Sequence, residues 1–196
     1  MGRHSTARER ILDTSIALIN ERGYANLGVD EILAAAGVGK SSFYHFFKSK
    51  AELGEAVIDA YDQILAEVLS KAFDASVPPL DRPVLFTQLV QRLIERNSPA
   101  LACLSGKLTA DSSGVPPEMR EKARMVTDGI RKLILGALCE AADARDLKPN
   151  TPLADIADAC LAYLQGLVTL YQVRSSQEPL RDLGPQIARF WEPWKA

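Results

Sequence analysis

The chain has 196 residues, of which 47% are hydrophobic and 24% charged, a balance typical of a soluble globular protein with a substantial core. Its formal net charge of −2 gives no overall basic character, so binding to a nucleic acid would have to depend on a local surface. Residues 1–50 contain seven Lys/Arg and five Asp/Glu, whereas the remainder contains 16 basic and 20 acidic residues. The charges therefore indicate a mildly basic N-terminal region, residues 1–50, followed by an acidic remainder.

Several classes of protein are not indicated by the sequence. No uninterrupted apolar run approaches the roughly 20 residues that cross a bilayer, so we expect no membrane association. Three cysteines, an odd number in a chain without an apolar signal segment, indicate reduced thiols in the cytoplasm. No metal-ligand cluster, phosphate loop or nucleophile elbow is found after residue 75, so we expect no metal, no cofactor and no enzymatic activity.

The spacing of apolar residues predicts helices along nearly the whole chain. No alternating apolar and polar run between hairpin turns predicts a strand, so we expect an all-α fold. Three short helices are predicted first, over residues 6–22, over residues 29–36, and over a segment that carries residues 43–48. Ser5 or Thr6 could cap the first of them.

Six further helices are predicted after residue 50, which brings the expected number to about nine. Prolines and glycines mark most of the breaks between them. A long connecting helix comes first and five more follow, over residues 50–75, 83–96, 100–111, 118–144, 152–175 and 179–191. We expect two domains, a three-helix domain over residues 1–50 and a larger helical domain over residues 51–196.

Residues 29–53 have the pattern of a helix-turn-helix. Val29, Ile32, Leu33 and Ala36 follow the spacing of one helical face. Gly37 can end this helix in the left-handed conformation without a steric cost. Asp30 is expected to cap the first motif helix, and Ser41 or Ser42 to cap the second.

The second motif helix carries four aromatic residues among five positions, which is too many for all of them to be buried. We expect Phe43, Phe46 and Phe47 to pack inward, and Tyr44 and His45 to face solvent beside several lysines. An exposed ring and an imidazole among lysines suit phosphates and base edges. The alternative is a helical module that binds another protein and no DNA, because this geometry also occurs in such proteins.

The order of these residues resembles the signature of the TetR family of transcriptional regulators. The resemblance rests on ILAAAGV at 32–38, FYHFF at 43–47 and KAEL at 50–53. It implies an N-terminal DNA-binding domain, a C-terminal domain for ligand binding and dimerisation, and release from an operator when a small inducer binds. The family often has glycine where this chain has Ser41.

The resemblance also implies which residues meet DNA. In a helix-turn-helix the second helix enters the major groove while flanking groups hold phosphates. Tyr44 and Lys48 are expected at phosphates, and His45 either reads a base edge or fills the interface. The complete expected set is Thr6, Val29, Lys40, Ser41, Ser42, Tyr44, His45, Lys48 and Lys50.

Two half-sites on DNA require a dimer, and the last two predicted helices are the expected interface. Segment 152–175 is apolar over most of its circumference, so it must be buried on more than one side. Its small residues, Gly166 among them, would allow close approach of a second helix. A core helix in a monomer is the alternative. Trp191 and Trp194 in the tail also require packing or an interface.

Residues 102–111 resemble a stretch in the branch of the TetR family that contains the electrophile- and acrylate-responsive repressors NemR and AcuR. Cys103 is expected in the first turn of a helix, where the dipole favours the thiolate, and Lys107 on the same face. We hypothesise that both line an inducer pocket and that the thiol reacts with an electrophile. Alternatively, Cys103 is a small buried hydrophobe. Cys139 and Cys160 lie on apolar stripes and are expected in the core.

Overall fold

A computed structural model of the chain describes residues 6–97, 104, 108, 114–174 and 181–196. These residues form α-helices and one short 3₁₀ helix, and the described ranges contain no β-strand, only an isolated bridge between Leu147 and Lys195. The predicted all-α class is confirmed.

Eight α-helices lie in the described ranges. They are α1 (Ala7–Arg22), α2 (Val29–Ala36), α3 (Lys40–Phe46), α4 (Lys50–Ala72), α5 (Asp81–Asn97), α6 (Pro117–Asp143), α7 (Leu153–Arg174) and α8 (Leu183–Ala188). The 3₁₀ helix follows at Glu192–Trp194. Leu104 and Leu108, within the predicted helix 100–111, are helical too, and most of that segment lies outside the described residues.

The chain forms two compact units that are interleaved in sequence. The first unit comprises residues 1–64 and 97–126, and the second comprises residues 65–96 and 127–196. Helices α4 and α6 each begin in the first unit and end in the second. The functional division expected at residue 50 remains a prediction.

Helix α1 begins with the predicted cap. The Thr6 hydroxyl accepts a hydrogen bond from the Glu9 N–H at 3.2 Å, and the Glu9 carboxylate accepts one from the Thr6 N–H at 2.8 Å. These bonds satisfy backbone donors that the start of a helix otherwise leaves free. The helix ends at Gly23, whose φ of 80° disfavours any residue with a Cβ atom.

The first residues of α2 and α3 correct two predictions. Gly28 and Gly39 are the N-caps of these helices, and neither helix has a side-chain cap bond. Asp30 is therefore not the cap of α2, and Ser41 and Ser42 lie inside α3. A helix is capped by the side chain of the extended residue that precedes its first turn. That residue is a glycine in both helices, and glycine has no side chain to form the bond.

The second unit buries part of the aromatic tail. Trp191 is almost fully buried, and the Phe190 ring meets the Tyr163 ring edge-on at a centroid distance of 5.4 Å. The Trp194 carbonyl accepts a hydrogen bond from the Lys148 N–H at 2.7 Å. Within the predicted helix 179–191, α8 begins after Asp182, which adopts a left-handed conformation, and ends at Ala188.

One prediction about the cysteines is wrong. Cys160 in α7 is buried as expected, and burial raises the pKa of its thiol to about 12. Cys139 in α6 is exposed, whereas Leu138 beside it is buried. Successive residues of a helix point about 100° apart, so a neighbour of the apolar stripe can face solvent.

Helix α7 contains a long apolar stretch. By length and composition alone, one helix in the described part of the chain could cross a membrane, over Leu153–Tyr171. Asp155 and Asp158 interrupt this stretch, so it was not visible as a continuous apolar run. A core helix of a globular protein has the same length and composition, so this property alone does not indicate a membrane protein.

Candidate nucleic-acid interface

Helices α2 and α3 form a helix-turn-helix in the first unit. Ile32, Leu33 and Ala36 are buried on one face of α2, as the spacing predicted. Gly37 ends the helix with φ 63° and ψ 40°, and the N–H of Val38 donates to the Leu33 carbonyl at 3.0 Å. This left-handed turn leads the chain directly into α3.

The aromatic residues of α3, together with Phe47 directly after it, divide into an anchoring set and an exposed set. Phe43 and Phe47 are almost completely buried, and Phe46 is half-buried rather than fully inside as expected. Tyr44 is 63% exposed, and His45 is exposed as well. Two buried phenylalanine side chains therefore hold α3 in place while a phenol and an imidazole face solvent.

A salt bridge joins the first turns of the two motif helices. Lys40 Nζ lies 2.9 Å from Asp30 Oδ2, and both side chains are mostly exposed. The hydrogen bond with Asp30 raises the pKa of the Lys40 ammonium. This pair was missed at the sequence level, because ten residues and a turn separate its members and no helical spacing relates them.

Lys48 and Lys50 differ in their surroundings. The Lys48 backbone N–H donates to a Glu52 carboxylate oxygen at 2.8 Å, and its side chain is exposed. Lys50 Nζ lies 4.3 Å from the centre of the Tyr24 ring and 3.4 Å from the Ala25 carbonyl, and burial lowers the pKa of its ammonium. The Lys50 side chain is thus turned toward the connection between α1 and α2.

The remaining expected contact residues lie around these helices. Val29 is half-buried at the first position of α2, and the Thr6 hydroxyl is engaged in the cap of α1. Ser41 is exposed and Ser42 half-buried in the first turn of α3. Within one unit, the fold therefore brings the exposed Lys40 at the start of α3 beside the first turn of α2.

The expected inducer-binding residues, Cys103 and Lys107, lie outside the described residues. Leu104 and Leu108, which follow them in sequence, are buried. Within the described ranges, no group of three or more His, Cys, Asp or Glu side chains is placed to hold a metal ion.

A helix-turn-helix with an exposed Tyr, His and Lys surface, followed by a long helical body, is typical of a DNA-binding transcriptional regulator. Residues 11–57 match the family model described as bacterial regulatory proteins, tetR family, and residues 79–185 match that of the tetracyclin repressor-like C-terminal domain. The chain belongs to the TetR family. It is a transcriptional regulator and not an enzyme, as predicted.

Curated relatives support this assignment over most of the chain. The chain is 32% identical to the transcriptional regulator AcuR of Cereibacter sphaeroides over 179 residues, which are 91% of this chain and 82% of AcuR. It is 32% identical to the transcriptional repressor NemR of Escherichia coli K12, over 69% of this chain and 68% of NemR. The predicted resemblance to the branch that contains both proteins is confirmed.

A solved structure supports the fold. The regulatory protein TetR from Rhodobacter sphaeroides is 30% identical to this chain and superimposes with a TM-score of 0.84, covering 95% of this chain and all of that one. The superposition therefore includes both regions that match the family models, residues 11–57 and 79–185.

Proposed function

We propose that the chain is a dimeric repressor that inserts α3 into the major groove of an operator and leaves it when a small inducer binds. Residues 1–50 form the DNA-binding domain in this proposal, and residues 51–196 bind the inducer and the second copy. The observation that carries it is the burial of Phe43 in α3 and of Phe47 directly after it, while Tyr44 and His45 in α3 are exposed. A rigidly anchored helix with polar groups outward suits groove binding.

The proposed contacts follow from exposure and charge. Tyr44 and Lys48 contact phosphates, which position the protein without reading sequence. His45, on the same exposed side, approaches a base edge. Ser41 and Ser42 in the first turn of α3, Thr6, Val29 and Lys50 are the flanking contacts. For Lys50, contact with a phosphate requires the ammonium to leave the Tyr24 ring.

The dimer is proposed to form through α7 and residues 179–191. Only 28% of the apolar stretch of α7 is buried in the single chain, and Val173 is 76% exposed. A Cβ atom added at Gly166 would meet nothing within 4 Å, so this face has room for a second helix. Covering it with the same face of another copy would give the isologous contact of a twofold dimer.

The proposed inducer is a small molecule that binds in the helical body near Cys103 and Lys107. The support is the resemblance of residues 102–111 and the similarity to AcuR and NemR. A conjugated enal would add through its β-carbon to the Cys103 thiolate, forming a carbon–sulfur bond while solvent protonates the α-carbon. Cys103→Ser should abolish release by such an electrophile but not release by a reversibly bound ligand.

The proposed location is the cytoplasm, where the operator and the reduced thiols would both be found. The family assignment favours a DNA-binding repressor over the alternative, a protein-interaction module that does not bind DNA.

Fluorescence anisotropy with the DNA upstream of the chain's own gene tests the DNA-binding part of the proposal. Tyr44→Ala and Lys48→Ala should weaken binding, and Lys48→Ala should also reduce its salt dependence, because fewer counterions are released. Ser70→Ala, at an exposed position of α4, is the control. Binding that is unaffected by the first two substitutions at both low and high salt contradicts the proposed surface.

A further inference from the structure

Lys40 is the first residue of α3, and Asp30 lies in the first turn of α2. The ammonium and carboxylate are 2.9 Å apart, and the side chains are 66% and 70% exposed. We propose that this pair reads sequence: Asp30 holds the Lys40 ammonium in front of α3, where it donates to O6 and N7 of a guanine. The inference rests on the proposed insertion of α3 into the major groove.

The position of Lys40 favours a base edge over a phosphate. In helix-turn-helix complexes, residues near the N-terminus of the second helix meet base edges. Guanine presents two acceptors in the major groove, and lysine is one of the side chains that donate to both. An ammonium has three donors, so a hydrogen bond to Asp30 leaves two for guanine.

The carboxylate of Asp30 also favours contact of Lys40 with a base edge over contact with a phosphate. If Lys40 contacted a phosphate, the Asp30 carboxylate beside it would repel that phosphate. Much of the favourable electrostatic energy between Lys40 and the phosphate would then be lost. A guanine edge carries no net charge, so the carboxylate costs less there while it restricts a long, flexible side chain. An exposed ion pair adds little to stability, so orientation of Lys40 is its more useful effect.

Lys48 provides the contrast within the same surface. Its side chain is exposed, and no salt bridge involves it in the described part of the chain. A free ammonium of this kind suits a phosphate, which any DNA sequence provides. The structure thus gives the two lysines different surroundings, and the inference gives them different roles.

Selection of binding sites from a random duplex library tests the inference without knowledge of the operator. The wild-type protein should enrich half-sites that contain a guanine, and Lys40→Ala should lose the preference at that position. Asp30→Asn should weaken the preference, whereas Asp62→Asn, which removes an exposed carboxylate from α4, should not. Lys48→Ala should reduce affinity uniformly and leave the enriched sequence unchanged.

The salt dependence of binding to a duplex of scrambled sequence gives a second measurement. Asp30→Asn frees Lys40 for phosphates, so the slope of log K against log salt should steepen by up to about one per protomer. Asp62→Asn should leave the slope unchanged. Equal slopes for the two variants contradict the inference.

The results separate the inference from the function on which it rests. If the wild-type protein enriches no sequence, the proposed DNA binding fails and the inference fails with it. If a sequence is enriched and Lys48→Ala weakens binding, but Lys40→Ala keeps every base preference, only the role of the pair is overturned.

Discussion

Gly54 leaves the space that the end of the Met119 side chain occupies. A Cβ atom at position 54 would lie 2.7 Å from Met119 Cε, still closer to its Sδ, and 2.9 Å from Tyr24 Cε2. Gly54 is in α4, Met119 is buried near the start of α6, and Tyr24 is buried between α1 and α2. Three distant segments of the first unit therefore meet at one point that has no room for a methyl group.

Gly54→Ala should destabilise the protein in spite of the better helix propensity of alanine. Replacing glycine inside a helix gains roughly 1 kcal/mol, whereas inserting a methyl group into a packed core costs about 1–3 kcal/mol. Met119 can shift its flexible end, but the Tyr24 ring is also in the way, so we expect a net loss of about 1 kcal/mol. The midpoint of urea denaturation measures it. Gly136→Ala is the control, because a Cβ atom there meets nothing within 4 Å, and it should stabilise.

A double-mutant cycle tests whether the contact with Met119 is the cause. Met119→Ala alone should cost about 2–5 kcal/mol, because it leaves a cavity in a buried site. In the double variant the methyl group introduced by Gly54→Ala occupies part of that cavity, so the combined loss should be at least about 1 kcal/mol smaller than the sum. Additive losses would mean that the two positions do not interact.

The sequence predicted local features of the fold well and long-range contacts poorly. The cap at Thr6, the left-handed Gly37 and the apolar face of α2 depend on neighbours within a turn or two, so spacing and residue type were sufficient. The meeting of Gly54 with Met119 joins residues 65 positions apart, and no periodicity encodes it.

The candidate site shows the same limit. The exposure of Tyr44 and His45 was correctly predicted from the excess of aromatic residues on a short helix. Neither the pairing of Lys40 with Asp30 nor the contact of Lys50 with Tyr24 could be predicted, because each joins residues on different segments that only the folded backbone brings together.

Cys139 and Cys160 should differ in their reaction with iodoacetamide. The thiolate is the nucleophile, and a pKa of about 12 leaves almost none of it at Cys160 near neutral pH. Cys139 is exposed. Peptide mass spectrometry of the native protein should find Cys139 alkylated and Cys160 unmodified, and both alkylated after denaturation. Equal labelling of the two in the native protein would contradict the buried position of Cys160.

Asp158 should contribute stability that is lost in acid. The Arg131 guanidinium donates to both carboxylate oxygens and holds the pKa of Asp158 below its ordinary value of 3.8. The unfolded chain therefore takes up this proton at a higher pH than the folded one. The contribution is complete above the unfolded pKa and disappears as the pH falls through the folded pKa.

Denaturation midpoints measured between about pH 2 and pH 6 test this linkage. Asp158→Asn should be less stable than the wild type near pH 6, and the two should converge at the acid end. Asp62→Asn is the control at an exposed site. A stability difference for Asp158→Asn that is the same at every pH would exclude the ion pair as its cause.

The last prediction concerns the face of helix α7 that is proposed to contact a second copy of the chain. Leu170 and Val173 are exposed large hydrophobic residues on that face, and Gly166 adds an open position one turn earlier. Leu170→Glu would place a charged carboxylate inside the proposed interface, where it would lose its hydration without gaining a partner. We expect a mainly monomeric protein by size-exclusion chromatography with light scattering. Binding to a duplex with two half-sites should be at least tenfold weaker, because the DNA-binding domain of the second copy is no longer attached. Met125→Glu is the matched control, since Met125 is 63% exposed on α6 and lies outside the proposed interface. If Leu170→Glu remains a dimer, the two copies associate through a different surface.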